Sequence, residues 1–265
     1  MAGLTGKPIG TTYKSVLRVD DDTGLDTGLE LITDGEGTKS SLSLSDDATR
    51  IQPQTDDTIA AFHVRSKGGQ TLFSVDTTNS VVKAGVGAYN VLTQYVTFGV
   101  NYQQWESCIA DTHYPVPFST SGGEHATNDV DFGTGSTPDT TFSTSNTDTN
   151  YASQIVPCMW YINDNIEIDA AYAISGAAGA TGDTTKMHLM CYTFNSGSNS
   201  CLTSGKLLGA TGTQVNAGNE QAYGQAFTME SDNTVTAGKV VLAFFSQNGT
   251  NADYSVNIQI KYHLV

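Results

Sequence analysis

Between Phe62 and Gly85 the chain reads FHVRSKGGQTLFSVDTTNSVVKAG, and no other stretch constrains the fold as tightly. Its apolar runs, Phe62-x-Val64, Leu72/Phe73-x-Val75 and Val81-Val82, are each a few residues long. They are cut apart by Gly68-Gly69 and by Asp76-Thr-Thr-Asn79. Runs this short, alternating in character and separated by turn residues, predict strands. One hairpin of such strands is marginal in water, because roughly three or more strands sharing an apolar face are needed for stability. The stretch is therefore expected to find its missing partners on other chains. The same punctuation runs from Leu29 to Val86, through Leu29-x-Leu31-Ile32, Leu42-x-Leu44, Ile51 and Ile59, with TDGEG, SDDAT and QTDD between them. Units that cannot bury their own apolar faces stack on neighbours. A small monomeric barrel is the alternative.

Gly69, Leu72, Phe73, Val75, Asp76 and Val81 form an x-G-x-x-L-F-x-V-D-x-x-x-x-V pattern. This resembles the shaft repeat of tailed-bacteriophage fibre proteins. The resemblance covers about a tenth of the chain and brings no catalytic residue. It implies a homotrimer interlocked through Phe62, Val64, Leu72, Phe73, Val75 and Val81. It also implies a location on the virion.

Residues 155–265 carry the plainest strand signals. From Tyr254 to Leu264, apolar Tyr254, Val256, Ile258, Ile260, Tyr262 and Leu264 alternate with polar residues, giving one buried and one wet face. Ile166, Ile168, Ala170, Tyr172 and Ile174 alternate likewise and are expected to share the inward face. Lys239–Ser246 is apolar on both faces and reads as a central strand. Further strands are expected at Ile155–Ile162, Lys186–Phe194 and Ala222–Met229. No stretch shows a capped helical period. The expected fold is all-β: an anchor arm over 1–28, a short interleaved β-strand shaft over 29–89, and an antiparallel β-sandwich head over 90–265. The order of the head strands is similar to the jelly-roll heads of viral fibres.

Charge narrows the partners. The net charge is −15, and no Lys or Arg occurs between Lys83 and Lys186. Residues 1–83 hold eight of the 12 basic and 12 of the 27 acidic residues, a balance of −4; the remainder of the chain stands at −11. Nucleic acid requires clustered basic side chains, so it is excluded as a partner. No run approaches the roughly 20 apolar residues of a membrane span, so insertion is not expected. Met1 is followed by no basic and apolar leader, which predicts synthesis in a host cytoplasm without export. Residues 1–28 are thin in apolar content and read as an arm that joins other virion proteins. Cys108, Cys158, Cys191 and Cys201 show no metal-ligand spacing, and free buried thiols are expected. Cys191 and Cys201 are the best candidates for a disulfide.

Chemistry is sparse. No nucleophile elbow, zinc-protease helix, P-loop or dinucleotide fingerprint is present. Asp20-Asp-Asp22 fails the calcium-loop spacing, since Leu25 stands where glycine is required. Asp111-Thr-His113, Glu124-His125, Asp129 and Asp131 have ligand chemistry without a recognised spacing. No catalytic residue, cofactor or metal is therefore expected. Residues 103–153 mix Ser, Thr, Gly, Asn and Asp with aromatic rings. Tyr114, Phe118, Phe132, Phe142 and Tyr151 are the expected glycan-contact residues of surface loops, or else the rings that pin those loops down. The expected function is that of a non-enzymatic virion protein, a trimeric fibre or spike attaching to a host-surface glycan. Capsid decoration by a cement or head-fibre protein, and a glycan-cleaving spike, are the alternatives.

Overall fold

The computed structural model describes residues 16–20, 24–85, 89–91, 93–103, 109–118, 130–145, 150–177, 180–218, 221–249 and 254–265. Most of the anchor arm, Cys108 and the pair Glu124 and His125 lie outside them. The chain is nearly all β and divides into two units, Met1–Leu92 and Thr93–Val265.

The first unit contains two antiparallel meanders of four strands. One is β1 (Arg18–Val19), β2 (Glu30–Thr33), β3 (Lys39–Leu44) and β4 (Thr49–Ile51). The other is β5 (Phe62–Arg65), β6 (Thr71–Asp76), β7 (Val81–Ala84) and β8 (Tyr89–Asn90). The strands expected to pair with other chains thus pair with their own neighbours. Tight turns make this possible by joining consecutive strands. At the β5–β6 turn Gly69 holds φ +82°, a conformation that costs an L side chain but not glycine. What the meanders do not supply is a second layer. Among the described residues of this unit, Ile32 is the only buried hydrophobic side chain, while the buried polar ones are Thr33, Ser43, Ser74 and Asp76.

The second unit is a β-sandwich. Its strands are β9 (Thr93–Gln103), β10 (Tyr114–Val116), β11 (Trp160–Tyr161), β12 (Ile166–Ala177), β13 (Thr184–Phe194), β14 (Leu202–Ala210), β15 (Gln214–Val215), β16 (Gln221–Ala226), β17 (Thr228–Met229), β18 (Thr234–Val235), β19 (Lys239–Gln247) and β20 (Tyr254–Leu264). One sheet runs β10-β19-β13-β14-β17, with β11 also on β19 and β15 on β13. The other runs β16-β12-β20-β9, with β18 on β12. Between them lies a core from both sheets, including Leu189, Val241, Phe245, Ile168, Ile258 and Ile260. Strand β19 is central, as its two apolar faces predict. Val241, Ala243 and Phe245 enter this core, while Val240, Leu242 and Phe244 enter a second one on the far side of the same sheet.

Three sequence expectations are corrected here. Residues 155–162 are not one strand. A short helix α1 (Ala152–Ile155) runs into a 3-10 turn (Val156–Cys158), and only Trp160–Tyr161 is extended; Pro157 lacks the N–H a ladder needs. The candidate pairing of Cys191 with Cys201 is set aside and the expected free buried thiols stand, because Cys191 belongs to the inner core and Cys201 to the outer one. The third correction concerns β12. Its register against β20 shifts between Ile168 and Ala170, with Asp169 as the extra residue of a β-bulge. A one-residue shift exchanges the two faces. Ile166 and Ile168 point inward as expected, but beyond the bulge Ala171 and Ala173 take over the core, and Tyr172 and Ile174 face solvent at 49% and 55% exposure. The bulge is held on both sides. Asn233 accepts from the Ile168 N–H through its backbone carbonyl, at 3.2 Å. It donates from Nδ2 to the Ile168 carbonyl at 2.7 Å. His263 Nδ1 lies 2.9 Å from Asp169 Oδ1.

Candidate functional site

Register places Phe62, Val64, Phe73, Val75, Val82 and Ala84 on one face of the β5–β8 sheet, since Phe62 pairs with Val75, Val64 with Phe73, Phe73 with Ala84 and Val75 with Val82. Phe62 and Phe73 meet edge to face at 6.2 Å. The other face carries Ser74, Asp76 and Lys83, with Leu72 and Val81. Of the expected interface residues, Phe62, Val64, Phe73 and Val75 therefore share a face, and Leu72 and Val81 do not. Phe62 and Val64 are 38% and 46% exposed. The Asp of the repeat has a structural task. Asp76 accepts hydrogen bonds from the Asn79 N–H (3.0 Å), Asn79 Nδ2 (2.9 Å) and Lys83 Nζ (2.7 Å), closing the β6–β7 turn and tying β7 to β6. Lys83, with Asn79, holds its carboxyl down to about 2.

The loop rings expected to meet a glycan are mostly packing. Phe132 and Phe142 stack at 4.7 Å and, with Phe244 and Tyr192, build the outer core of the β10–β17 sheet. The Tyr192 hydroxyl donates to the Asp139 carbonyl at 2.9 Å, and Phe142 exchanges backbone hydrogen bonds with Leu202, so the segment around 130–145 is a lid sewn onto that sheet. Tyr114 is buried as well. Phe118 is half-buried, stacked on Trp160 and packed against Phe98. Only Tyr151, 43% exposed, presents itself to solvent. The reason is hydrophobic: a central sheet apolar on both faces needs two covers, and these rings are the second.

At one end of the lid lies a cavity of about 300 Å³, lined by Asp111, His113, Thr185, Lys186 and Gln247 among others. Behind it His113 and His188 meet ring edge to ring face, 4.8 Å between centroids, and both are buried. His113 Nε2 lies 2.9 Å from the Gly135 carbonyl, which makes it the protonated nitrogen. Burial lowers the pKa of His113. Burial again, then the neighbouring His113 and Lys186, pull His188 down to about 3, so both imidazoles are neutral at pH 7. Among the described residues His113 Nδ1, Thr185 Oγ1 and Gln247 Oε1 find no partner and are sealed from solvent, so the cavity cannot use them without rearrangement. Among the described residues no three His, Cys, Asp or Glu side chains gather to hold a metal, and no helix is long and apolar enough to cross a membrane. Sequence reasoning singled out His113 but had no signal for His188, which stands on a strand 75 positions away.

Comparison with known proteins adds no name: no protein-family model matches the chain, and no curated protein does.

Proposed function

We propose that the chain is a non-enzymatic structural protein of a bacteriophage particle, a homotrimeric fibre or spike. Its N-terminal arm joins other virion proteins, and its sandwich head meets a host-surface glycan. The observation that carries this reading is the inverted burial of the first unit. Its sheets hold polar side chains in their protected positions and leave Phe62 and Val64 open, on a face that also bears Phe73, Val75 and Val82. Fully burying a side chain of this size contributes about 1.5–3 kcal/mol, so two further copies of the same face are a sufficient cover. The shaft-like repeat around Gly69 and Asp76 supplies the geometry: tight turns and a short, four-stranded antiparallel ladder.

Light scattering on the purified chain is expected to give three times the 28.0 kDa chain mass. A stable monomer at micromolar concentration overturns the proposal. Immunogold labelling of particles locates the protein, and deletion of residues 1–28 is expected to leave a folded trimer that no longer joins them.

Capsid decoration is favoured as a second reading by one observation. Burial of Tyr114, Phe132 and Phe142 removes most of the aromatic loop surface first expected to contact host cells. Label on the capsid face, with host adsorption unchanged by antibody against the head, selects it.

A further inference from the structure

The bulge in β12 turns Tyr172 and Ile174 out of the sandwich, onto the open face of the β16-β12-β20-β9 sheet. Register gives that face three cross-strand rows. Tyr172 lies beside Ala226, Gln259 and Thr97; Ile174 beside Gly224, Asn257 and Gly99; Gly176 beside Ala222 and Ser255. These rows contain no Asp, Glu, Lys or Arg, on a unit whose sequence carries a balance of −11. Lys261 stands at one border, opposite Tyr95, which is 60% exposed.

Tyr172 does not stand off the sheet as strand side chains ordinarily do. A side chain at position 224 would collide with the Tyr172 hydroxyl, so the ring is laid across Gly224, in the manner of an aromatic covering a strand glycine. It is still half exposed and so presents aromatic surface to solvent. The amides of Asn257 and Gln259 flank it and are left to solvent. Tyr95 lies two strands over on the side away from Gly224 and one row along, about 12 Å from backbone to backbone at ordinary sheet spacings.

We propose that this face is a platform for a neutral, extended glycan chain, resting on the reading of the head as a host-attachment module. Sugars offer apolar ring faces and many hydroxyls. They are held by an aromatic surface with amides placed beside it, a combination of apolar body and fixed polar groups. Two tyrosines whose backbones lie about 12 Å apart suit several linked sugar units better than one. The three rows carry no charge, which matches a neutral chain, and Lys261 stands only at their border, beside Tyr95. A second copy of the protein fits less well. The face measures roughly 19 by 20 Å, about 400 Å², half of the roughly 800 Å² per partner that a stable protein contact needs.

The test uses the full-length chain against unbranched neutral hexose oligomers of two to six units and sialylated or sulfated counterparts, by titration and on an array. Binding is expected for neutral oligomers, to strengthen with length, and to be absent for acidic ones. Tyr172→Ala is expected to weaken it at least about tenfold, the loss of one aromatic contact, while the chain stays folded and its melting falls only by the lost cover of Gly224. Tyr95→Ala weakens only the longer oligomers. No binding of any neutral oligomer at millimolar concentration overturns the proposal, as does wild-type affinity in Tyr172→Ala. A fall in oligomer mass on Tyr172→Ala also overturns it, since the face is then a subunit contact. The two readings separate cleanly. Oligomer binding by a chain that is not on the particle keeps the platform and removes the attachment role; a particle protein that binds no oligomer does the reverse.

Discussion

The two units of this chain solve the same problem in opposite ways. From Thr93 to Val265 two sheets close on each other, and one is covered again on its far side by Phe132 and Phe142, so that β19 is buried on both faces. From Arg18 to Asn90 the strands form antiparallel ladders too, yet Ile32 alone among the described hydrophobic residues is buried. Both units have paired strands, and among the described residues only the sandwich has an extended apolar core. Hydrogen bonds order a strand but contribute modestly to net stability, whereas apolar burial dominates it. The first unit has ladders without an extended core of its own among the described residues.

The strongest way to break this contrast is to charge the open face. Phe62→Asp with Val64→Asp is expected to reduce the particle in light scattering from three chains to one. The fluorescence of Trp105 and Trp160, both beyond residue 92, should stay unchanged. If the doubly charged chain remains a trimer, the open face is not the interface.

Truncating an equivalent ring in each unit sharpens the contrast. Phe245→Ala, inside the sandwich, should cost about 3–5 kcal/mol in denaturant unfolding. Phe62→Ala, measured at a dilution where the chain is monomeric, should stay within about 0.5 kcal/mol. Equal costs would mean that the first unit has a core of its own.

Acid should separate the units by pH. A histidine whose folded pKa lies below its unfolded value of about 6.5 favours the folded state fully above that value. His188, at about 3, therefore weakens the sandwich as pH falls from about 6.5 towards 3. The slope is at most about 1.4 kcal/mol per pH unit. Asp76, held to about 2, has the same sign in a lower window. Its contribution is complete above the unfolded value of about 3.9 and is lost below it. Tryptophan-monitored melts between pH 7 and 4 should fall steadily in the wild type and less steeply in His188→Leu, where buried His113 still contributes with the same sign. A parallel fall in both refutes the assignment.

The smallest effect concerns the bulge. Asn233→Ala removes one side-chain hydrogen bond to the Ile168 carbonyl and should cost about 1 kcal/mol. No change in unfolding would mean that the bulge is held by the strands alone.

Sequence patterning reached the fold where side-chain period and backbone period coincide. Tyr254–Leu264 alternates cleanly, and its inner residues Val256, Ile258, Ile260 and Tyr262 are buried. Lys239–Gln247 reads as central and is central. Patterning failed where one backbone event intervened. In β12 a single extra residue reversed the faces, and no apolar pattern encodes that, because alanines and a tyrosine are acceptable on either side. Strand β14 is not among the expected strands, and its Gly205 and Gly209 weaken a strand pattern. In fact Gly205 lets the Tyr192 ring and the backbone of Thr140 approach closely, and Gly209 admits Met229. The loop rings were visible as aromatic residues in polar sequence, but whether a ring covers a sheet or meets a ligand depends on the sheet beneath it. For the site the balance was similar. Phe62, Val64, Phe73 and Val75 were legible as one apolar set. Tyr172 was legible only as core, and His188 not at all, since its partner His113 comes from a distant segment.

The bulge at Asp169 also bears on how this surface can change over generations. Substitutions adjust a sheet face one side chain at a time. Loss of one codon at or beside Asp169 would remove the extra residue and leave the later residues of β12 on the β20 partners they have now. Tyr172 and Ile174 would stay outside, and Ala171 and Ala173 inside. Straightening the bulge with Asp169 retained is the event that would move every later residue by one place and exchange the two faces. A one-residue shortening at this position is therefore a change that the outer face of the sandwich absorbs.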